Sequence, residues 1–335
     1  MTVAINAQAG EWIKGSASNA AGSRNYQLWV PSGYDKRVPT PLVMMLHGCK
    51  QKPEDLAAIS GMNLVADRNK FLVVYPEQTK EANPLQCWNW FDPKHQESDS
   101  GEPALLAAIV HQVYSSHNVD GKRVYVAGIS AGGAMAVVMG ATYPDVFSAI
   151  GVSSGLAFKA GTDVQSGLAA MKQGAPNPKQ LVLEPFESMR RTWGGLPHRD
   201  KRRMPIIVFH GDADPYVNPI NADQIILQWA QTNDLLYGDK EDESVKAQPA
   251  KSVDGLVAEG RGYTRSIYID RAGKVIMEKW IVKGMGHAWS GSPTAGPFAD
   301  PKGPNASEEM WRFFVETSSS SKSAKLKAAK PKGRP

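Results

Sequence analysis

The chain has 335 residues, 42% of them hydrophobic, enough to bury a core, and no apolar run approaches the roughly 18 residues of a membrane span. Its net charge of +5 sits at the C-terminus, where Lys322, Lys325, Lys327, Lys330, Lys332 and Arg334 are accompanied by no acid. The body is therefore close to neutral, which argues against a basic nucleic-acid groove, and no His/Cys cluster or phosphate-binding loop asks for a metal or cofactor.

In chain order, short apolar runs predict strands over 26–30, 42–46, 71–75, 124–127, 147–152, 205–209, 265–269 and 275–282. Helical patterns fall between them at 53–69, 103–117, 131–143, 222–232 and 306–316. Pro53 and Pro103 suit first helical turns, where no backbone N–H partner is lost. Strands separated by helices imply right-handed crossovers and an α/β fold: a mainly parallel central sheet with helices on both faces. Residues 1–25 read as an N-terminal extension and 26–316 as the main domain. Within it, 156–204 forms a lid-like insertion over the sheet's carboxyl edge, and 232–262 a charged loop. Residues 317–335 read as a disordered basic tail. Residues 1–15 have neither the basic start nor the apolar run of a signal peptide.

Gly-x-Ser-x-Gly occurs twice, at Gly128-Ile129-Ser130-Ala131-Gly132 and Gly151-Val152-Ser153-Ser154-Gly155, so the pattern alone does not choose a nucleophile. Context does. Ser130 follows the strand 124–127 and precedes small residues that open a helix, the strand–turn–helix setting of a nucleophile elbow. Ser153 leads into the lid-like segment and reads as a strand-end loop. A serine hydroxyl needs a base, and the base an acid, in the order Ser, Asp/Glu, His for α/β-hydrolase folds. Asp212 and Asp214 both follow the strand ending at Phe209; Asp214 is favoured because Pro215-Tyr216-Val217 can pack its loop. His287 is the only histidine downstream of that acid, in the loop Gly284-Met285-Gly286-His287-Ala288-Trp289. The catalytic candidates are thus Ser130, Asp214 and His287. The N–H of Ala131, directly after the nucleophile, and that of Cys49, in the loop after an early strand, are the expected oxyanion donors. Cys49 and Cys87 read as two buried thiols or a disulfide, and least of all as half of a metal site, since no other ligands cluster nearby.

Residues 46–49, 87–91, 128–133, 210–217 and 286–289, in this order, resemble the poly(3-hydroxybutyrate) depolymerase esterases, α/β-hydrolases related to feruloyl and acetylxylan esterases. The resemblance runs from about residue 26 to 314. It implies an acyl-enzyme serine esterase acting on short-chain hydroxyalkanoate oligomers or polyester, a Cys49–Cys87 bridge, and an extracellular or periplasmic location. Trp88, Trp90 and Trp289 are then candidates to clamp an ester chain, with packing as the alternative. The expected partner is a small-molecule or polymeric ester, with no nucleic acid and no membrane. An amide or polyamide hydrolase, a feruloyl or acetyl esterase, or a non-catalytic binding relative would share much of this pattern.

Overall fold

A computed structural model describes residues 10–192, 203–238 and 243–318 of the chain. Its centre is set by strands that are apolar on both faces. In β3 (Thr40–Leu46) every residue is buried. Leu42, Met44 and Leu46 enter one apolar cluster while Val43 and Met45 enter the other, as strand periodicity demands. The chain opens with an antiparallel hairpin, β1 (Glu11–Asn19) and β2 (Gly22–Val30). After β3 come α1 (Pro53–Ser60), α2 (Met62–Asn69), β4 (Leu72–Pro76), α3 (Gly101–Ser116), β5 (Val119–Ile129), α4 (Ala131–Thr142) and β6 (Ala149–Ser153). Then follow α5 (Val164–Gln173), α6 (Glu184–Thr192), β7 (Ile206–Gly211) and α7 (Ile220–Gly238). The last elements are β8 (Lys251–Leu256), β9 (Gly262–Ile269), β10 (Val275–Val282) and α8 (Ala306–Ser318), with a two-residue pairing of Trp289–Ser290 and Ala299–Asp300.

The ten strands form one sheet in the order β1-β2-β4-β3-β5-β6-β7-β10-β9-β8. From β4 to β10 every neighbouring pair is parallel, and both flanks are antiparallel. One face is covered by α3, α4 and α7 through residues such as Ile109, Met135 and Trp229. The other is covered by α1, α2 and α8 through Leu56, Val65, Met310 and Phe313. The chain leaves β3 toward β4, then returns to place β5 on β3's other side. That reversal opens a crevice at the strand carboxyl ends, the usual ligand position in such sheets.

Several elements differ from the sequence reading. The extension expected over 1–25 supplies β1 and the first part of β2. β1 alternates weakly because its outer side faces solvent at the sheet edge. The single helix expected over 53–69 breaks at Gly61, whose left-handed φ of 60° closes α1. The charged segment 232–262 is not all loop: α7 runs through Gly238, and β8 is an edge strand with a mostly exposed face, hence its polar composition. The segment 156–204 contains α5 and α6, and its residues 193–202 lie outside the described residues. So does nearly all of the basic tail, whose first two residues, Thr317 and Ser318, end α8.

Candidate active site

At the C-terminal end of β5 the backbone must reverse into α4 with no room to spare. A Cβ on Gly128 would stand 2.4 Å from the Gly132 carbonyl oxygen, and one on Gly132 would stand 2.0 Å from that of Leu46. Only hydrogen fits at either place, so the two glycines of the motif let α4 start directly against β3. Ser130, between them, takes φ 58° and ψ −123°, a region that side chains rarely occupy. Its N–H donates to the Ser153 carbonyl (2.9 Å), and its own carbonyl accepts from the Ala134 N–H (2.9 Å), so the strained turn is held from both sides. Ser153, the serine of the second motif copy, is fully buried at the end of β6, and its carbonyl anchors this turn.

Downstream of β7, the two acids diverge. Asp212 accepts from the Gly284 N–H (2.6 Å) and so fastens the histidine loop to the acid loop. Asp214 uses one oxygen for the N–H groups of Tyr216 and Val217 (2.9 Å each) and the other for His287 Nδ1 (2.7 Å). Burial raises the Asp214 pKa, but the hydrogen bond and charge of His287 and the two N–H donors outweigh it, and the carboxyl sits below its ordinary value. An ionised acceptor fixes the proton of His287 on Nδ1 and leaves Nε2 free. The ring stands edge-on to Tyr216 (5.5 Å) and Phe298 (6.0 Å). A third ring lies close: His210 donates from Nε2 to the Val217 carbonyl (2.8 Å), 3.5 Å from the same Asp214 oxygen.

The loop after β3 brings Cys49 to the crevice. Cys49 is bridged to Cys87. Among the described residues neither the Cys49 N–H nor the Ala131 N–H has a hydrogen-bond partner. The loop is tied by more than the bridge. Gln51 Oε1 accepts from the Gly48 N–H (2.8 Å), and the Lys50 N–H reaches the Leu85 carbonyl (2.7 Å). His47 donates from Nδ1 to the Gly48 carbonyl (2.8 Å) and accepts on Nε2 from the Gln78 N–H (3.1 Å). Burial pushes its pKa down to about 4, so the ring stays neutral. Gln78 donates in turn to the Cys87 carbonyl (2.9 Å) and to Glu102, whose buried carboxylate also holds the Asn89 N–H (2.8 Å). Neither Gln78 nor Glu102 carries a motif in the sequence; an acid beside the apolar pattern of 103–117 is the one sign there, and its burial shows only in the structure.

Two cavities meet at Ser130. The smaller, about 220 Å³, is lined by His287, Tyr216, Phe298, Lys50 and Gln51; the larger is about 470 Å³. Ser130, Cys49 and Met171 line both. Of the three tryptophans, Trp90 lines the larger of these two cavities, and Trp88 and Trp289 line neither. Trp88 is fully buried against His47. Trp289 is fully buried too, its indole donating to Ser307 Oγ (3.1 Å). For Trp88 and Trp289, offered as clamps with packing as the alternative, the apolar rings are taken up by the core behind each loop. Among the described residues no group of His, Cys, Asp and Glu could hold a metal ion, and no helix is long and apolar enough to cross a membrane.

Such a sheet, with a serine at a strand–helix elbow beside a histidine–aspartate pair, defines the α/β-hydrolase class. The fold agrees with an acetyl xylan esterase from Aspergillus awamori (TM-score 0.68, 18% identity, covering 92% of this chain and 100% of that one). Residues 24–243 match the family described as Esterase PHB depolymerase, and the chain belongs to that family of carboxylic ester hydrolases. It is 30% identical over 274 residues to poly(3-hydroxyalkanoate) depolymerase C of Paucimonas lemoignei, covering 81% of this chain but only 60% of that protein's length. It is also 27% identical over 268 residues to feruloyl esterase B of Thermothelomyces thermophilus, covering 78% of this chain and 82% of that protein.

Proposed function

We propose that the chain hydrolyses carboxylic esters through an acyl-enzyme on Ser130, with short-chain hydroxyalkanoate oligomers or polyester as the substrate class. The observation that carries this reading is the His287–Asp214 bond of 2.7 Å on the wall of a cavity shared with Ser130. Ser130 Oγ attacks the ester carbonyl carbon as His287 Nε2 takes its proton, and the carbonyl π electrons move to oxygen. Asp214 holds the imidazolium, while the N–H groups of Cys49 and Ala131 receive the oxyanion. Collapse breaks the bond to the alcohol oxygen, which leaves with the His287 proton. Water, activated by the same ring, then attacks the acyl-serine and releases acid and free serine. The likeness to a poly(3-hydroxyalkanoate) depolymerase supports the substrate class. The likeness to a feruloyl esterase over most of that protein's length favours a second reading, an aromatic acyl ester. The Cys49–Cys87 bridge supports an extracellular or periplasmic site of action, since such bonds persist in oxidising surroundings.

A fluorophosphonate probe is expected to label Ser130 alone, and Ser130→Ala to lower kcat on p-nitrophenyl butyrate by about 10⁶-fold. Labelling that survives in the folded Ser130→Ala protein would remove this serine from the mechanism.

A further inference from the structure

The two cavities at Ser130 are chemically unlike, and the position of His287 tells which part of an ester each would hold. The leaving oxygen must receive its proton from His287, so the alcohol portion extends along the smaller cavity, which the ring lines together with Lys50 and Tyr216. The acyl portion, pointing away from that ring, is then directed into the larger cavity. This one touches Ser130 and both oxyanion candidates, Cys49 and Ala131, but not His287.

The larger cavity's wall is built by α5. Val164, Gly167, Leu168 and Met171 follow the i, i+3, i+4, i+7 spacing of one helix face, and all four line it. Trp90, Phe91 and Leu85 stand opposite, and among the described residues no charged side chain borders the space. Gly167 lies so close to the aromatic wall that a Cβ there would stand 3.0 Å from that of Phe91. The helix is fixed rather than loosely laid over the crevice. Asp163 and Ser166 cap it reciprocally, the Asn218 N–H reaches the Met171 carbonyl (2.7 Å), and Asn221 reaches that of Ala170 (3.0 Å). Yet Val164 and Leu168 remain 60% and 54% exposed, so the stripe continues to the surface and leaves the cavity an open apolar mouth. A volume of about 470 Å³ lies within the roughly 300–1,000 Å³ range of small-molecule pockets. An acetyl methyl, about the size of one water at roughly 30 Å³, would leave it almost empty.

We infer that the α5 stripe, with Leu168 and Met171 as its specificity-determining residues, binds an uncharged acyl group larger than acetyl, aliphatic or aromatic. This inference rests on the serine-esterase reading above and adds to it the direction of the substrate and its acyl class. An acetyl ester is accordingly a poor substrate, and an acyl group ending in a carboxylate is worse than an uncharged one of equal length.

The test is a set of p-nitrophenyl esters sharing one leaving group: acetate, hexanoate, 3-hydroxybutyryl-3-hydroxybutyrate, cinnamate and monosuccinate. Each kcat/KM is divided by the ester's rate of hydroxide hydrolysis. At least one large uncharged ester is expected to exceed acetate by about tenfold or more, with succinate lowest. The aliphatic and aromatic arms show which acyl shape fits better. Leu168→Trp, which fills the mouth, and Leu168→Ala, which removes part of the wall, should each reduce the large-to-acetyl ratio by several-fold while fluorophosphonate still labels Ser130. Acetate as the preferred ester, succinate accepted as well as hexanoate, or a ratio unmoved in both folded variants would overturn the inference with the esterase reading intact. Inactivity on every ester with Ser130 unlabelled would overturn both.

Discussion

Asp212 and Asp214 lie two residues apart on one loop, yet their partners set them to different tasks. Asp214→Asn would present an amide N–H to His287 Nδ1, move the ring proton to Nε2 and leave no base facing Ser130. The expected loss in kcat is about 10⁴-fold with the circular dichroism spectrum unchanged. Asp212→Asn keeps an amide oxygen that can still accept from the Gly284 N–H (2.6 Å), loses only the carboxylate's charge, and should cost less than about tenfold. Equal losses in the two variants would show that the acid has been assigned wrongly. The strand-end positions of Ser130, Asp214 and His287 were legible because each follows a strand that the apolar pattern marks. Trp88 and Trp289 were not: an aromatic residue near a catalytic loop has the same signature whether its ring faces ligand or core. The buried indole of Trp289, bonded to Ser307, could be recognised only once α8 was seen to pack behind it.

Among the elements, the loops after β3 and β4 depend on each other. The bridge from Cys49 to Cys87 closes a loop of 38 residues' separation, and restricting that much unfolded chain is worth up to about 4 kcal/mol. Cys87→Ser should lower the melting temperature and also kcat, because the Cys49 N–H loses one of its supports. The loss in kcat should stay below about 10²-fold, since Gln78 and the Lys50–Leu85 contact still hold the two loops together. A variant with full kcat at a temperature where it remains folded would show that the bridge serves stability alone. The central parallel strands were evident from unbroken apolar runs such as 42–46. β1 and β8 were not, because edge strands with a solvated face do not read as apolar runs. Gly61 broke an expected helix for a different reason. A glycine inside a periodic pattern is ordinarily tolerated, and only its left-handed conformation here ends α1.

For the whole molecule, acid is the condition to which the fold is most exposed. His47 is buried with its pKa brought from 6.5 to about 4, and both of its nitrogens are already committed in the neutral form. Between those values the unfolded chain binds a proton that the folded one refuses, so stability falls as pH is lowered from 6.5 to 4. The size is on the order of 3 kcal/mol for this one group. Burial also pushes His210 down, and it acts in the same sense. Asp214 adds a later loss: its folded pKa is depressed, so its contribution is intact above the ordinary carboxylate value and disappears as pH falls through the folded one. Urea midpoints measured from pH 7 to pH 4 at constant salt should therefore decline, and His47→Gln should flatten the upper part of that slope. A level wild-type profile over this range would contradict the buried neutral ring.

The turn at Ser130 carries a consequence for how this chain can drift under selection. Its φ of 58° with ψ of −123° suits glycine far better than any residue with a side chain, so the wild type is held away from its most relaxed backbone at the position proposed as the nucleophile. Ser130→Gly should abolish turnover yet melt at a higher temperature than Ser130→Ala, by the equivalent of about 1 kcal/mol once glycine's greater unfolded-state freedom is subtracted. A lineage released from the need for catalysis would find a sturdier protein a single codon change away, and keeping the serine requires purifying selection against that gain.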